Sequence, residues 1–78
     1  MMLLQTEKAL RLLEQYNTIT ILVPREYTKS KIKEFFEKKG YKVKKVNTLI
    51  TKKGLKKAYV RFKEEGVARK VAEELGGL

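Results

Sequence analysis

The stretch Lys42-Val-Lys-Lys-Val-Asn-Thr-Leu-Ile-Thr-Lys-Lys-Gly-Leu-Lys-Lys-Ala-Tyr-Val-Arg-Phe-Lys63 decides the fold. Two runs rich in Val, Ile, Thr, Tyr and Phe flank a short basic connection containing Gly54, which is the pattern of a β-hairpin. In the second run Ala58, Val60 and Phe62 fall on one face, and Lys57, Tyr59, Arg61 and Lys63 on the other. One face can therefore bury while the other presents cations and an aromatic ring. The first run, Tyr41 to Thr51, slips. Tyr41 and Val43 occupy odd positions, Val46 and Ile50 even ones, and Lys44-Lys45 sits at the break. A β-bulge there would keep both apolar sets on the core face. The alternative is an edge strand with a less consistent face; the bulge is the preferred reading.

Outward from the hairpin, the spacing predicts three helices and one further strand. Ala9, Leu12, Leu13 and Tyr16 recur at helical intervals, with Thr6 as N-cap and Glu7 suited to the helix dipole, so a helix is expected at about 6–16. Thr18 to Val23 is β-branched except for Leu22 and reads as a strand ended by Pro24. After Arg25-Glu26-Tyr27, Thr28 or Ser30 caps a helix that turns Ile32, Phe35 and Phe36 inward and ends at Gly40. Beyond Glu64-Glu65-Gly66, Ala68, Val71, Ala72 and Leu75 mark a last helix, stopped by Gly76 and Gly77. The expected fold class is an α/β sandwich of order α-β-α-β-β-α. A right-handed crossover places strand 56–63 between strands 18–23 and 41–51, giving a three-stranded antiparallel sheet with the helices packed on it. Met1 to Gln5 leave room for at most a short extra N-terminal strand.

Seventy-eight residues make one domain, 1–78, burying roughly 60–65% of its unfolded surface. There is no Cys and no His, which removes disulfides, thiolate chemistry and the commonest general base and metal ligand. No acidic pair lies near a Gly-rich loop, so no catalytic constellation can be assembled, and neither an enzyme nor a cofactor is expected. No apolar run approaches the roughly 20 residues of a membrane span. Met1-Met2-Leu3-Leu4 is too short for a signal segment, so a cytoplasmic protein is expected.

The net charge is +10, and its placement matters more than its size. Residues 1–24 balance Lys8 and Arg11 against Glu7 and Glu14. Residues 25–63 set fifteen Lys and Arg against three Glu, net +12, and residues 64–78 set two against four, net −2. A solubilising surface mixes both signs; a polyanion-binding surface concentrates one. RNA is therefore the expected partner, held mainly through its phosphates.

The candidate contacts follow from this segment. Lys52, Lys53, Lys56 and Lys57 surround the hairpin turn, where like charges repel unless an anion relieves them. Lys29, Lys31 and Lys33 open a helix whose N–H groups favour phosphate, although three lysines there oppose the dipole. Arg25, Lys42, Lys44, Lys45 and Arg61 add charge. Asn47 and Thr48 are polar in mid-strand; they reach phosphate or 2′-hydroxyl oxygens, or they stabilise the bulge by local hydrogen bonds. Tyr59 shares a face with Lys57 and Arg61; it stacks on an unpaired base, or it packs against the first helix or a neighbouring strand, and packing is preferred. Tyr41 is assigned to the core, and Arg25 is the better RNA candidate than Tyr27.

Val43-Lys44-Lys45-Val46-Asn47-Thr48-Leu49, a short basic turn, then Lys56-Lys57-Ala58-Tyr59-Val60 strongly resembles the large-subunit ribosomal protein family numbered twenty-three, in its compact archaeal form. Thr6-Glu7-Lys8-Ala9, Asn17-Thr18 before an apolar strand, and Thr28-Lys29 followed by Ile32-Lys33 agree with the same family, so the resemblance covers nearly the whole chain. It departs in three places. The family's first strand is short or absent here; Lys31 stands where an acidic residue would complete a capping box; and Thr51 to Leu55 is too short for the tunnel-reaching loop of bacterial members. The resemblance implies a ribosome-bound structural protein that binds large-subunit ribosomal RNA at the rim of the polypeptide exit tunnel, beside neighbouring ribosomal proteins. It also implies a docking platform for the signal recognition particle or other nascent-chain factors, with Glu7 marking the docking side. The alternative is a free-standing RNA-binding or RNA-chaperone module.

Overall fold

The computed structural model describes residues 1–51 and 53–76. Seven elements follow one another: β1 (Met2–Leu3), α1 (Glu7–Tyr16), β2 (Thr18–Pro24), α2 (Lys29–Lys38), β3 (Val43–Ile50), β4 (Leu55–Phe62) and α3 (Val67–Gly76). The sheet is antiparallel, in the order β1-β2-β4-β3. The central place of β4 agrees with the expected strand order. The sheet has four strands rather than three, the fourth being the short N-terminal strand for which Met1 to Gln5 left room. Met2 and Leu3 pair with Leu22 and Ile21, and Leu4 N–H donates to Thr20 O at 2.8 Å. Two paired residues carry too little alternation to be read from sequence; the open outer side of β2 recruits them.

The hairpin folds as its pattern predicts. Val43 opposes Phe62 and Lys45 opposes Arg61, so Lys44 is the extra residue of a bulge. The bulge returns Val46 to the face of Val43, opposite Val60. It does not bring Ile50 into the core: Ile50 is 57% exposed. Thr51 N–H donates to Leu55 O at 2.8 Å, and Gly54, at φ +75°, takes the left-handed conformation that the turn needs. The second strand stops at Phe62 rather than Lys63. Lys52 and Gly77, both singled out in the sequence, lie outside the described residues.

The caps are local. Thr6 Oγ1 accepts from Ala9 N–H at 3.1 Å, and Thr28, not Ser30, caps α2 by accepting from Lys31 N–H at 3.2 Å. At the other end of α2, Gly40 N–H donates to Glu37 O and Tyr41 N–H to Phe36 O, with Gly40 at φ +93°. This is a Schellman cap, and it satisfies two of the helix's orphan carbonyls.

The core lies between the sheet and the helices. Ile19, Ile21 and Val23 of β2, Val43 of β3 and Ala58, Val60 and Phe62 of β4 meet Ile32 and Phe36 of α2 and Ala68, Val71 and Ala72 of α3. Phe36 meets Phe62 edge-on at 5.6 Å between ring centroids. Full burial of each such side chain is worth roughly 1.5–3 kcal/mol. Tyr41 packs on this core, as expected, and so does Tyr27. Helix α1 runs along β2, with Ala9 and Leu13 buried. Among the described residues no helix is long and apolar enough to cross a membrane.

Candidate nucleic-acid interface

Because side chains alternate along a strand, the register of β2, β4 and β3 defines a grid on the sheet face away from the core. Arg61 lies between Thr18 and Lys45, Tyr59 between Thr20 and Asn47, and Lys57 between Leu22 and Leu49. The grid holds three cations, an aromatic ring and an amide, and no acid. Lys45 is directly across from Arg61. A like-charge cross-strand pair is unfavourable, yet no carboxylate lies within 4.0 Å of either residue among the described residues.

A groove runs between this face and α1, with Lys8, Leu12 and Tyr16 on the helix side and Lys45, Asn47, Tyr59 and Arg61 on the sheet side. A second groove lies between α2 and β3, lined by Lys29, Lys33, Lys44 and Lys45. Lys45 belongs to both. The bulge that makes Lys44 the extra residue leaves two successive lysines exposed on the outer strand, so the basic surface wraps that edge without a break. Lysines and a bulge on an edge strand also discourage pairing with another chain.

Of the nine glutamates, three form ion pairs among the described residues, and Glu14 and Glu65 line a further groove with Lys44, Arg61 and Lys63. Glu34 pairs with Lys38 at 3.1 Å, Glu14 with Arg69 at 3.9 Å and Glu74 with Lys39 at 3.4 Å. Glu74 Oε2 also accepts from Tyr41 Oη at 2.6 Å. That hydrogen bond, with help from Lys39, holds the Glu74 carboxyl below the usual glutamate range, and the same bond raises the Tyr41 hydroxyl.

The remaining sequence candidates are dispersed. Lys56 and Lys57 face opposite sides of the sheet, so these two lysines of the turn do not share one face. Lys56 donates to the Tyr27 carbonyl and is committed to holding the loop before α2. Lys31 lies over the Tyr27 ring, 5.9 Å from its centroid. Arg25 is exposed in the turn closed by Tyr27 N–H and Pro24 O. Lys42 and Lys53 are exposed. Asn47 is exposed on the grid, whereas Thr48 is half-buried on the core-facing side, opposite Ala58. Tyr59 is half-buried. Glu7 is exposed in the first turn of α1.

Lys8 and Tyr16 were not singled out in the sequence as surface contacts. Of the expected inward positions of α1, Ala9 and Leu13 are buried, but the helix is rotated so that Tyr16, at the same helical spacing, is left 49% exposed beside the grid.

Residues 2–72 match the family model described as ribosomal protein L23. A large ribosomal subunit protein uL23 from Caldivirga maquilingensis is 53% identical over 73 residues, covering 91% of this chain and 84% of its own. A large ribosomal subunit protein uL23 from Pyrobaculum aerophilum is 51% identical over 74 residues, covering 94% and 91%.

Proposed function

The chain belongs to the ribosomal protein L23 family, and from that premise we propose that it is a structural constituent of the large ribosomal subunit that binds large-subunit RNA through the basic surface around β3. The observation that carries this reading is the opposition of Lys45 and Arg61 on an acid-free sheet face. That pair costs stability in the isolated protein and is relieved when phosphate lies between or beside the two cations. Lys29, Lys33, Lys44 and Lys57 extend the same field, so most contacts position the protein on the RNA backbone rather than read bases.

The near-neutral first 24 residues suit a different neighbour. With the basic segment on RNA, the side of α1 that carries Glu7, opposite Lys8, Leu12 and Tyr16, is available to protein partners at the rim of the exit tunnel, including targeting factors such as the signal recognition particle. The hairpin turn is too short to probe the tunnel, so the protein's role is an anchor at the rim. It works on the ribosome in the cytoplasm.

Cosedimentation with large subunits through a high-salt sucrose cushion tests the assignment. The expected result is stoichiometric recovery with the subunit. Recovery only at the top of the gradient would overturn it in favour of a free-standing RNA-binding module.

A further inference from the structure

We propose that the groove between α1 and the grid holds one unpaired base of the bound RNA, stacked on Tyr59 with Tyr16 on the helix wall. This rests on the RNA-binding reading above and makes it specific: beyond the phosphate contacts, the protein recognises a nucleotide that is out of the helical stack.

The rings are placed for it. On the grid Tyr59 is flanked by Thr20 and Asn47, both small, and along its own strand by Lys57 and Arg61. None of these lays a large apolar group over the ring. Phe35, Phe36, Tyr41 and Phe62, in and around the core, each meet another ring edge-on. Tyr16 and Tyr59 line one groove, yet among the described residues they form no such pair with each other. The two aromatic rings, with Leu12 and Leu49, line a groove of about 490 Å³, a volume within the roughly 300–1,000 Å³ of small-molecule sites.

The groove's chemistry selects the occupant. Asn47, beside Tyr59, carries an amide that both donates and accepts and so matches the edge of a base. Lys8, Lys45 and Arg61 lie around the groove and no carboxylate lines it, which suits the phosphates on either side of a single nucleotide. A base paired within an A-form helix cannot reach the rings, because its faces are already stacked and the major groove is narrow.

The test uses the full chain and two RNAs of about ten nucleotides, one an oligouridylate with a central 2-aminopurine and the other a blunt duplex. Tyr59→Leu is expected to weaken the single strand about tenfold and to abolish the quenching of 2-aminopurine by stacking, with duplex affinity unchanged. Tyr59→Phe retains the ring and is expected to behave as wild type. Tyr16→Leu, at an exposed position, is expected to reduce quenching and decides the matter if Tyr59→Leu lowers the melting temperature. Wild-type affinity and quenching in both leucine variants, with Lys45→Gln weakening both RNAs alike, would overturn the base site and leave the phosphate-binding reading intact. No binding of either RNA at low salt would overturn both.

Discussion

Asn17 Oδ1 accepts a hydrogen bond from Ala68 N–H at 2.9 Å, so the residue that ends the first helix caps the last one, fifty-one positions away. The same amide donates through Nδ2 to the carbonyls of Phe62 and Glu64. Asn17 takes the left-handed conformation, φ 51°, and its own N–H closes α1 on Leu12 O. One side chain thus ties the ends of α1 and β4 to the start of α3. The backbone conformation and the three side-chain bonds can be separated. Asn17→Gly keeps the first and loses the second, and is expected to cost about 2–3 kcal/mol, or a fall of roughly 10–20 °C in Tm. Asn17→Asp retains the acceptor for Ala68 but sets a carboxylate against two carbonyls, and is expected to be at least as destabilising. Thermal unfolding of the two variants checks this.

Tyr41 and Glu74 give the fold a pH dependence. The folded pKa of Glu74 lies below its unfolded value. Its contribution is therefore complete above the ordinary glutamate pKa of about 4.3 and is lost as pH falls through the lower folded value. The folded pKa of Tyr41 is raised, so its contribution is complete below about pH 10 and is lost as pH rises through the folded value. Tyr41→Phe is expected to show a smaller drop in Tm than wild type on acidification from about pH 5 to about pH 2.5. An equal drop would show that the hydrogen bond has no part in acid stability.

The bulge can be removed without moving the strand. Deleting Lys44 leaves Val43 opposite Phe62 and Lys45 opposite Arg61 in an unbroken ladder, so the variant is expected to fold with Val46 still inward. It then presents a regular outer edge with one lysine fewer, and edges of that kind pair with other chains. The expected outcome is a native circular dichroism spectrum with increased light scattering at high protein concentration.

Charge variants separate binding from stability. Lys44→Gln, Lys45→Gln and Lys57→Gln together are expected to lower the slope of log K against log salt for a large-subunit RNA fragment by about 3. The same triple variant should be no less stable, because it removes the repulsion between Lys45 and Arg61. Lys56→Gln, which loses the bond to the Tyr27 carbonyl, is expected to cost about 1 kcal/mol with the salt slope unchanged. Salt titrations and thermal unfolding on both variants decide it.

Glu7→Lys addresses the protein-facing side. It reverses a favourable charge at the start of α1 and is expected to cost about 0.5 kcal/mol, to spare assembly into the subunit and to weaken binding of a nascent-chain targeting factor. Equal factor affinity for wild-type and variant subunits would dismiss Glu7 from docking.

Much of this was legible in the chain itself. Alternation at Ala58, Val60 and Phe62 identified the inner face of the hairpin, and the parity slip between Val43 and Val46 located the bulge, because a strand reverses faces with every added residue. Thr6, Thr28 and Gly40 announced helix ends, since caps are satisfied within a few residues. The concentration of cations between residues 25 and 63 is what led to the proposal of an RNA partner. What only the tertiary structure decided depends on positions far apart in sequence. It paired Lys45 with Arg61, turned Lys56 inward and Lys57 outward, and brought Tyr16 beside Tyr59 in one groove. It added β1 to the sheet and carried the amide of Asn17 to the start of α3. The physical reason is the range of the forces: periodicity and capping act within a turn or a strand, whereas cross-strand register, helix rotation and remote hydrogen bonds are settled only when the elements pack together.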